Sequence, residues 1–182
     1  MLRTIPRDFT LVQRLLAIAV FTAITAIGAQ LELRIGEFVP FTMQVFAVLL
    51  AGMVLGARDG ALSQILYIGL LLLNLPVGSA GGGIERLTGA TAGYIIGFVP
   101  AAFVVGWLVQ QGANRTWQRW LAGLVGVAII YAFGLPVLMS VANLSFEGAW
   151  AAGAAPFILF DLVKSALASS LSEGGRRRLA QR

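Results

Sequence analysis

Pro156-Phe-Ile-Leu-Phe-Asp161-Leu-Val-Lys164-Ser-Ala-Leu-Ala-Ser-Ser-Leu171 is apolar enough to lie in a bilayer, yet it carries an acid and a base three residues apart. Residues at i and i+3 of a helix share a face, so Asp161 and Lys164 point to the same side. A charge at mid-span costs ~2.5 to 3.5 kcal/mol on insertion scales and normally faces a partner, a cavity or a ligand. No other apolar run in the chain holds two charges, so the rest is read as a frame built around this pair.

Composition places the whole chain in the membrane. Of 182 residues, 58% are hydrophobic and 12% charged, with a mean hydropathy of +0.86. A soluble domain carries roughly 25% charged residues. One domain spanning 1–182 is expected, a single bundle with basic tails at about 1–10 and 172–182. The absence of cysteine removes disulfides and thiol chemistry, and the absence of histidine removes the commonest metal ligand and general base. No catalytic and no metal-ligating residues are assigned.

Working outward from the pair, six apolar runs follow one another. The first, Leu11 to Leu31, is too long for a cleaved leader and is followed by others, so it reads as a true span. It carries the small-xxx-small pairs Ala19/Ala23 and Thr22/Ala26, spacings that let another helix approach closely. Glu32, Arg34 and Glu37 form a polar connection ending at Pro40. The second and third spans run roughly from Phe41 to Leu55 and from Ala61 to Leu75, joined by a tight turn through Arg58 and Asp59. Both are short for a perpendicular crossing. The fourth runs from Ala90 to Val109. A polar turn from Gln110 to Arg119 follows, flanked by Trp107, Trp117 and Trp120. The fifth, Leu121 to Ala142, contains Pro136, for which a kink is expected. Trp150 opens the sixth, which holds the Asp161/Lys164 pair.

Between the third and fourth spans lies Leu75-Pro-Val-Gly-Ser79-Ala-Gly81-Gly-Gly-Ile-Glu85-Arg86-Leu-Thr-Gly-Ala-Thr-Ala-Gly93-Tyr94. Its glycines resemble a phosphate loop only in composition, because GxxxxGK[ST] is missing. A lid over a membrane-embedded site is the expectation, since glycine permits close approach to a ligand.

Alternate connections differ sharply in charge. Arg3, Arg7, Arg14, Arg58, Arg115, Arg119, Arg176, Arg177, Arg178 and Arg182 fall on one side, and only Arg34 and Arg86 on the other. The positive-inside rule therefore predicts an all-α membrane protein of six transmembrane helices with both termini cytoplasmic. Topology and attraction to membrane lipid account for the basic tail, so no nucleic-acid partner is expected.

Three stretches carry a resemblance to a known family. They are Val39-Pro-Phe41-Thr-Met-Gln44 through Gly56 with Arg58-Asp-Gly-Ala-Leu-Ser, then Leu75-Pro-Val with Gly89-Ala-Thr-Ala-Gly93-Tyr94-Ile-Ile-Gly97-Phe98, and finally Pro156 to Leu167. On these the chain resembles the BioY family, the biotin-binding S components of energy-coupling-factor (ECF) vitamin transporters, over nearly its whole length. The resemblance implies a compact six-helix subunit of a bacterial cytoplasmic (inner) membrane that binds biotin near its outer face. It has no cofactor of its own. Asp161 and Lys164 would belong to the ligand site, and Ala19 and Ala23 to a face for the transmembrane T component. Two ABC-type ATPase subunits would complete the transporter, since no ATPase motif is present. Two departures stand out. Relatives often read Pro-Thr/Ser-Gly-Gly-Tyr where this chain has Ala90-Thr-Ala-Gly-Tyr94. Some also place an asparagine in the glycine loop, where this chain has none and Ser79 is the candidate substitute.

Biotin offers two ureido N–H donors, a ureido carbonyl, an apolar ring and a carboxylate. Asp161 can accept a ureido N–H, and Lys164 can donate to the ureido oxygen or to the carboxylate. Gln44 can complement the ureido group, while Phe41, Tyr94, Phe157 and Phe160 can enclose the ring. Arg86 can attract the carboxylate, or stand as half of a solvated pair with Glu85. Two other readings remain open at this point: an S component for another vitamin-like heterocycle, and an intramembrane enzyme using Asp161 as acid/base. In a third, Asp161 and Lys164 merely neutralise each other and fix the helix.

Overall fold

The computed structural model describes residues 10–33 and 38–180, with side chains as far as residue 174. Arg3, Arg7, Arg34, Glu37 and Arg182, and the side chains of Arg176 to Arg178, lie outside the described residues. Seven α-helices are found among those described: α1 (Leu11–Gln30), α2 (Gln44–Leu55), α3 (Ala57–Leu72), α4 (Ala92–Gln110), α5 (Thr116–Ala142), α6 (Phe146–Gly153) and α7 (Ile158–Ala180). A two-stranded antiparallel ribbon, β1 (Glu32–Leu33) with β2 (Phe41–Thr42), bridges α1 and α2.

Local chemistry sets the boundaries. Thr10 caps α1 reciprocally with Gln13, each side chain bonding the other's backbone N–H. The α2–α3 junction is a single residue, Gly56, at φ 85. That left-handed angle suits glycine, and it lets α3 begin at once. The expected polar turn at Arg58 and Asp59 is thus the first turn of α3, which begins at Ala57 rather than Ala61. Likewise Arg119 is not in a turn: α5 begins at Thr116, and Arg119 is buried inside it. The helix runs unbroken through Pro136.

The sixth segment departs most from expectation. It is two helices bent by 51° at the break after Gly153. Pro156 has no N–H to donate and disfavours helical backbone in the residue before it, so the helix stops and restarts. By length and composition, α1, α4 and α5 are apolar enough to cross a membrane, or four segments if α6 and α7 form one broken span. With 12 and 16 residues, α2 and α3 fall short of ~20, so length alone does not yield the expected six spans.

Lipid-facing surface is evident all the same. Leu15, Leu16, Val20 and Ile27 of α1 and Leu159, Val163, Leu167 and Leu171 of α7 are exposed. So wide an apolar exterior marks a surface for hydrocarbon rather than water. Inside, one cluster around Tyr67, Leu71, Phe98, Ile130 and Leu138 fills the half nearer the ribbon. A second, around Leu49, Met53, Val105 and Val109, fills the other half.

Polar bonds tie α1 to α3, where each unpaired polar group would be costly. Arg14 grips buried Asp59 with two N–H groups, at 3.0 and 2.6 Å. Thr22 donates to the Ser63 carbonyl (2.9 Å) and Gln64 donates to Thr25 (3.3 Å). At its far end, Gln30 donates to the Gly78 carbonyl of the glycine loop (2.6 Å). A second buried polar cluster joins α5 to α7, with Arg119 donating to Ser172 (3.0 Å) and Thr116 to Glu173. The Asp161/Lys164 pair is therefore not alone as buried charge, since Asp59, Arg119 and Glu173 are also enclosed.

Candidate functional site

The start of α7 sets Asp161 and Lys164 one turn apart on its inward face, 2% and 4% exposed. Lys164 Nζ donates to Asp161 Oδ1 at 2.7 Å. The other carboxylate oxygen accepts from the Tyr131 hydroxyl at 2.5 Å. Lys164 Nζ also stands 4.0 Å from the centre of the Phe41 ring, which meets Phe160 edge-on at 4.9 Å between centroids.

Asp161, Lys164, Tyr131 and Phe41 form the floor of a cavity of about 60 Å3 at the ribbon end of the bundle. That is room for ~4 to 6 waters at 10–15 Å3 each. Gln44, Ser79, Tyr94 and Phe157 line it together with Asp161 and Lys164. Four consecutive residues, Val39 to Thr42, close one side. From the stretch expected as a lid, Ser79, Thr91 and Tyr94 line the cavity. The glycine loop turns back on itself, Gly78 N–H bonding the Gly82 carbonyl at 2.7 Å.

Hydrogen bonds fix several of the lining side chains. Gln44 donates to Tyr67 Oη (2.9 Å) and accepts from Thr42 Oγ1 (3.1 Å), and the Tyr67 hydroxyl donates in turn to the Val77 carbonyl. Tyr94 donates to the Gly153 carbonyl at the α6–α7 break (3.0 Å) and meets Tyr131 edge-on at 6.4 Å. Two glycines make room for it, since a Cβ at either Gly134 or Gly153 would strike Tyr94. Ser79 is a buried residue that lines the cavity, and its hydroxyl makes no hydrogen bond to the described residues.

Arg86 does not line the cavity. The glycine loop wraps its stem so closely that a Cβ at Gly78 or at Gly82 would come within 2.9 Å of Arg86 Cγ. Its Nε is buried without a hydrogen-bond partner among the described residues. Glu85 instead takes the Gly83 N–H (2.9 Å), and the amides of Glu85 and Gly83 hold its carboxyl below the usual range. Phe160 is exposed and packs on Phe41 rather than on the cavity. On α1, Ala19 and Ala23 face outward, whereas Thr22 faces inward on α3 and Ala26 is half-buried.

The reading of the residues missed Tyr131, Thr42 and Thr91, which line the cavity too. Tyr131 carried a usable signal, a polar-tipped side chain at the middle of an apolar helix that must find a partner there. Chemically, the floor presents a neutral ion pair with spare lone pairs on Asp161 and spare N–H groups on Lys164. That suits a flat polar ligand bearing both N–H and C=O.

Comparison with known proteins follows the same line. The model of the BioY family matches residues 3–181. Over 161 residues the chain is 37% identical to the biotin transporter BioY of Thermotoga maritima, covering 88% of this chain and 94% of that protein. Over 157 residues it is 41% identical to the probable biotin transporter BioY of Pyrococcus horikoshii, covering 86% and 91%. A solved structure, the S-component for biotin from an ECF-type ABC transporter, superposes with a TM-score of 0.84 at 25% identity, covering 96% of each chain.

Proposed function

The chain belongs to the BioY family, and on that premise we propose that it is a biotin-binding membrane subunit that mediates biotin uptake. The observation that carries this reading is the buried Lys164–Asp161–Tyr131 array at the cavity floor. A ureido group fits it: Asp161 accepts an N–H while Lys164 donates to the carbonyl oxygen. The ligand carboxylate goes to the opposite pole, because at the floor it would stand beside Asp161 and face like charge. Ser79 and Gln44, which line the same cavity, are the polar side chains assigned to that pole, with Arg86 in the glycine loop as the source of positive charge. Tyr94 and Phe157 flank the apolar ring, with Phe41 above Lys164.

The wider assembly is part of the same proposal. α1, α2, α3, α4, α5 and the broken α6–α7 pair are six spans of one domain, with both termini on the cytoplasmic side of the cytoplasmic membrane. The distribution of arginines supports this. Short α2 and α3 are accommodated because the ribbon and the glycine loop shield their ends. The outward Ala19/Ala23 face of α1 is the docking surface for a T component, and two ABC-type ATPases supply energy. This chain acts as a transport subunit rather than an enzyme.

Two measurements test the proposal. Calorimetric titration of purified protein with biotin is expected to show saturable one-site binding, and a well-folded sample that biotin neither heats nor stabilises refutes it. Topology is accessible because the chain has no cysteine. Single cysteines at Gln111 and Glu147 should be labelled by an impermeant maleimide from opposite sides, Glu147→Cys from outside intact cells. Labelling of both from one side would overturn the six-span arrangement.

A further inference from the structure

We propose that Tyr131 is a positioning residue for ligand recognition, aiming the Asp161 carboxylate at the ligand's N–H group. The inference rests on the biotin reading above and adds to it a residue that does its work through another.

A tyrosine has one proton to donate. Tyr131 gives it to Asp161 Oδ2 at 2.5 Å, while Lys164 occupies Oδ1 at 2.7 Å. A carboxylate held at both oxygens cannot rotate about χ2, so its remaining lone pairs keep a fixed direction into the cavity that Asp161, Lys164 and Tyr131 all line. Tyr131 is itself held. Its ring stands edge-on to Tyr94 at 84° between planes, and Tyr94 is anchored through its hydroxyl to the Gly153 carbonyl. The bend between α6 and α7 thus sets Tyr94, Tyr94 sets Tyr131, and Tyr131 sets Asp161. A pre-aimed acceptor loses no freedom when the ligand arrives, which is where its affinity advantage lies. With its proton committed to Asp161, Tyr131 has nothing left to donate toward the cavity. Selection for a ligand N–H then falls to Asp161, and the Lys164 ammonium remains the donor for a carbonyl.

The test compares three ligands on wild-type and Tyr131→Phe protein in detergent: biotin, biotin methyl ester, and biotin methylated on the ureido nitrogens. Loss of a hydrogen bond to a charged group should weaken biotin and its methyl ester alike, by roughly tenfold to a hundredfold. The N-methylated ligand has no N–H for Asp161, so the substitution should leave its weak affinity unchanged within about twofold. A merely structural role would instead weaken all three ligands equally, and that result overturns the proposal. So does unchanged biotin affinity in the variant. If wild-type protein binds no biotin at all, the functional reading itself falls and takes this inference with it.

Should Tyr131→Phe fail to fold, the chain's three tyrosines permit a second readout. With 3-fluorotyrosine incorporated, and Tyr67→Phe and Tyr94→Phe used for assignment, the Tyr131 resonance should move with biotin and not with the N-methylated ligand. A Tyr131 resonance that biotin leaves in place overturns the proposal.

Discussion

Lys164→Met is expected to lose both biotin binding and stability, while the double variant Asp161→Asn/Lys164→Met regains stability without regaining binding. Removing Lys164 leaves the Asp161 carboxylate buried with only the Tyr131 hydroxyl to compensate it. Breaking one side of a buried pair costs ~3 to 5 kcal/mol, softened to the extent that the acid takes up a proton. Asp161→Asn is milder. The amide still accepts from Tyr131, and the stranded ammonium keeps the Phe41 ring at 4.0 Å. In the double variant no charge is left uncompensated, so thermal unfolding in detergent should return toward the wild-type midpoint. Binding should not return, because the two charge-assisted bonds to the ureido group are gone. At 1.5–3 kcal/mol each, their loss is ~100-fold or more in Kd. The four proteins separate the two roles that the sequence alone left open. If binding recovers along with stability in the double variant, the pair serves only to fix the helix, and ligand recognition lies elsewhere in the cavity.

How much of this was readable before the fold was known varies residue by residue, for physical reasons. Asp161 and Lys164 were legible because charge inside an apolar run is expensive, and a three-residue spacing leaves one geometry for them, the one found at 2.7 Å. Gln44 and Tyr94 were reachable through the family resemblance, and both line the cavity. Arg86 is absent from the cavity lining, and nothing in its spacing tells that Gly78 and Gly82 press on its stem. Arg119 was read as loop because polar residues at a helix end look like a connection, although the helix had already begun at Thr116. The Arg14–Asp59 grip joins residues 45 apart in sequence, a distance over which helical periodicity carries no information. Tyr131 was overlooked because a tyrosine among apolar neighbours satisfies a packing explanation, and only the arrival of Asp161 from another helix shows why it needs its hydroxyl. The bend at Pro156 had a visible cause, yet the apolar composition on both sides concealed that the segment forms two helices.

The close approach of α4 to the α2–α3 junction leads to the second large effect. Gly106→Ala should lower the unfolding midpoint markedly and weaken biotin binding, though Gly106 does not line the cavity. A Cβ at Gly106 would lie 2.8 Å from Ala57 Cα and nearer still to the Ala57 nitrogen and the Gly56 carbonyl carbon. Every one of those atoms is backbone, so no change of rotamer relieves the contact, and α4 itself must move. The partner surface is as tight, since a Cβ at Gly52 would come 2.5 Å from the Ala102 carbonyl oxygen and 3.2 Å from the Gly106 nitrogen. Small residues on both sides are what let membrane helices meet at this distance, where dispersion and short polar contacts replace the hydrophobic drive. Overpacking of this kind costs ~1 to 3 kcal/mol or more. Because Gly52 and Gly106 belong to one contact, Gly52→Ala/Gly106→Ala should fall short of the sum of the single costs. Gly69→Ala is the control: nothing lies within 4 Å of its added Cβ, and in the last turn of α3 alanine is the better helix former by at most ~1 kcal/mol. The functional consequence follows from where α4 leads. Its opening turns carry Tyr94, Ile95 and Phe98 into the cavity, so a displacement at Gly106 tilts them relative to Tyr131 and α7. Affinity measured by calorimetry should therefore drop in Gly106→Ala and hold in Gly69→Ala. If Gly106→Ala melts and binds as the wild type does, the helices have slack at this crossing, and the cavity is positioned by α5 and α7 without the constraint of α4.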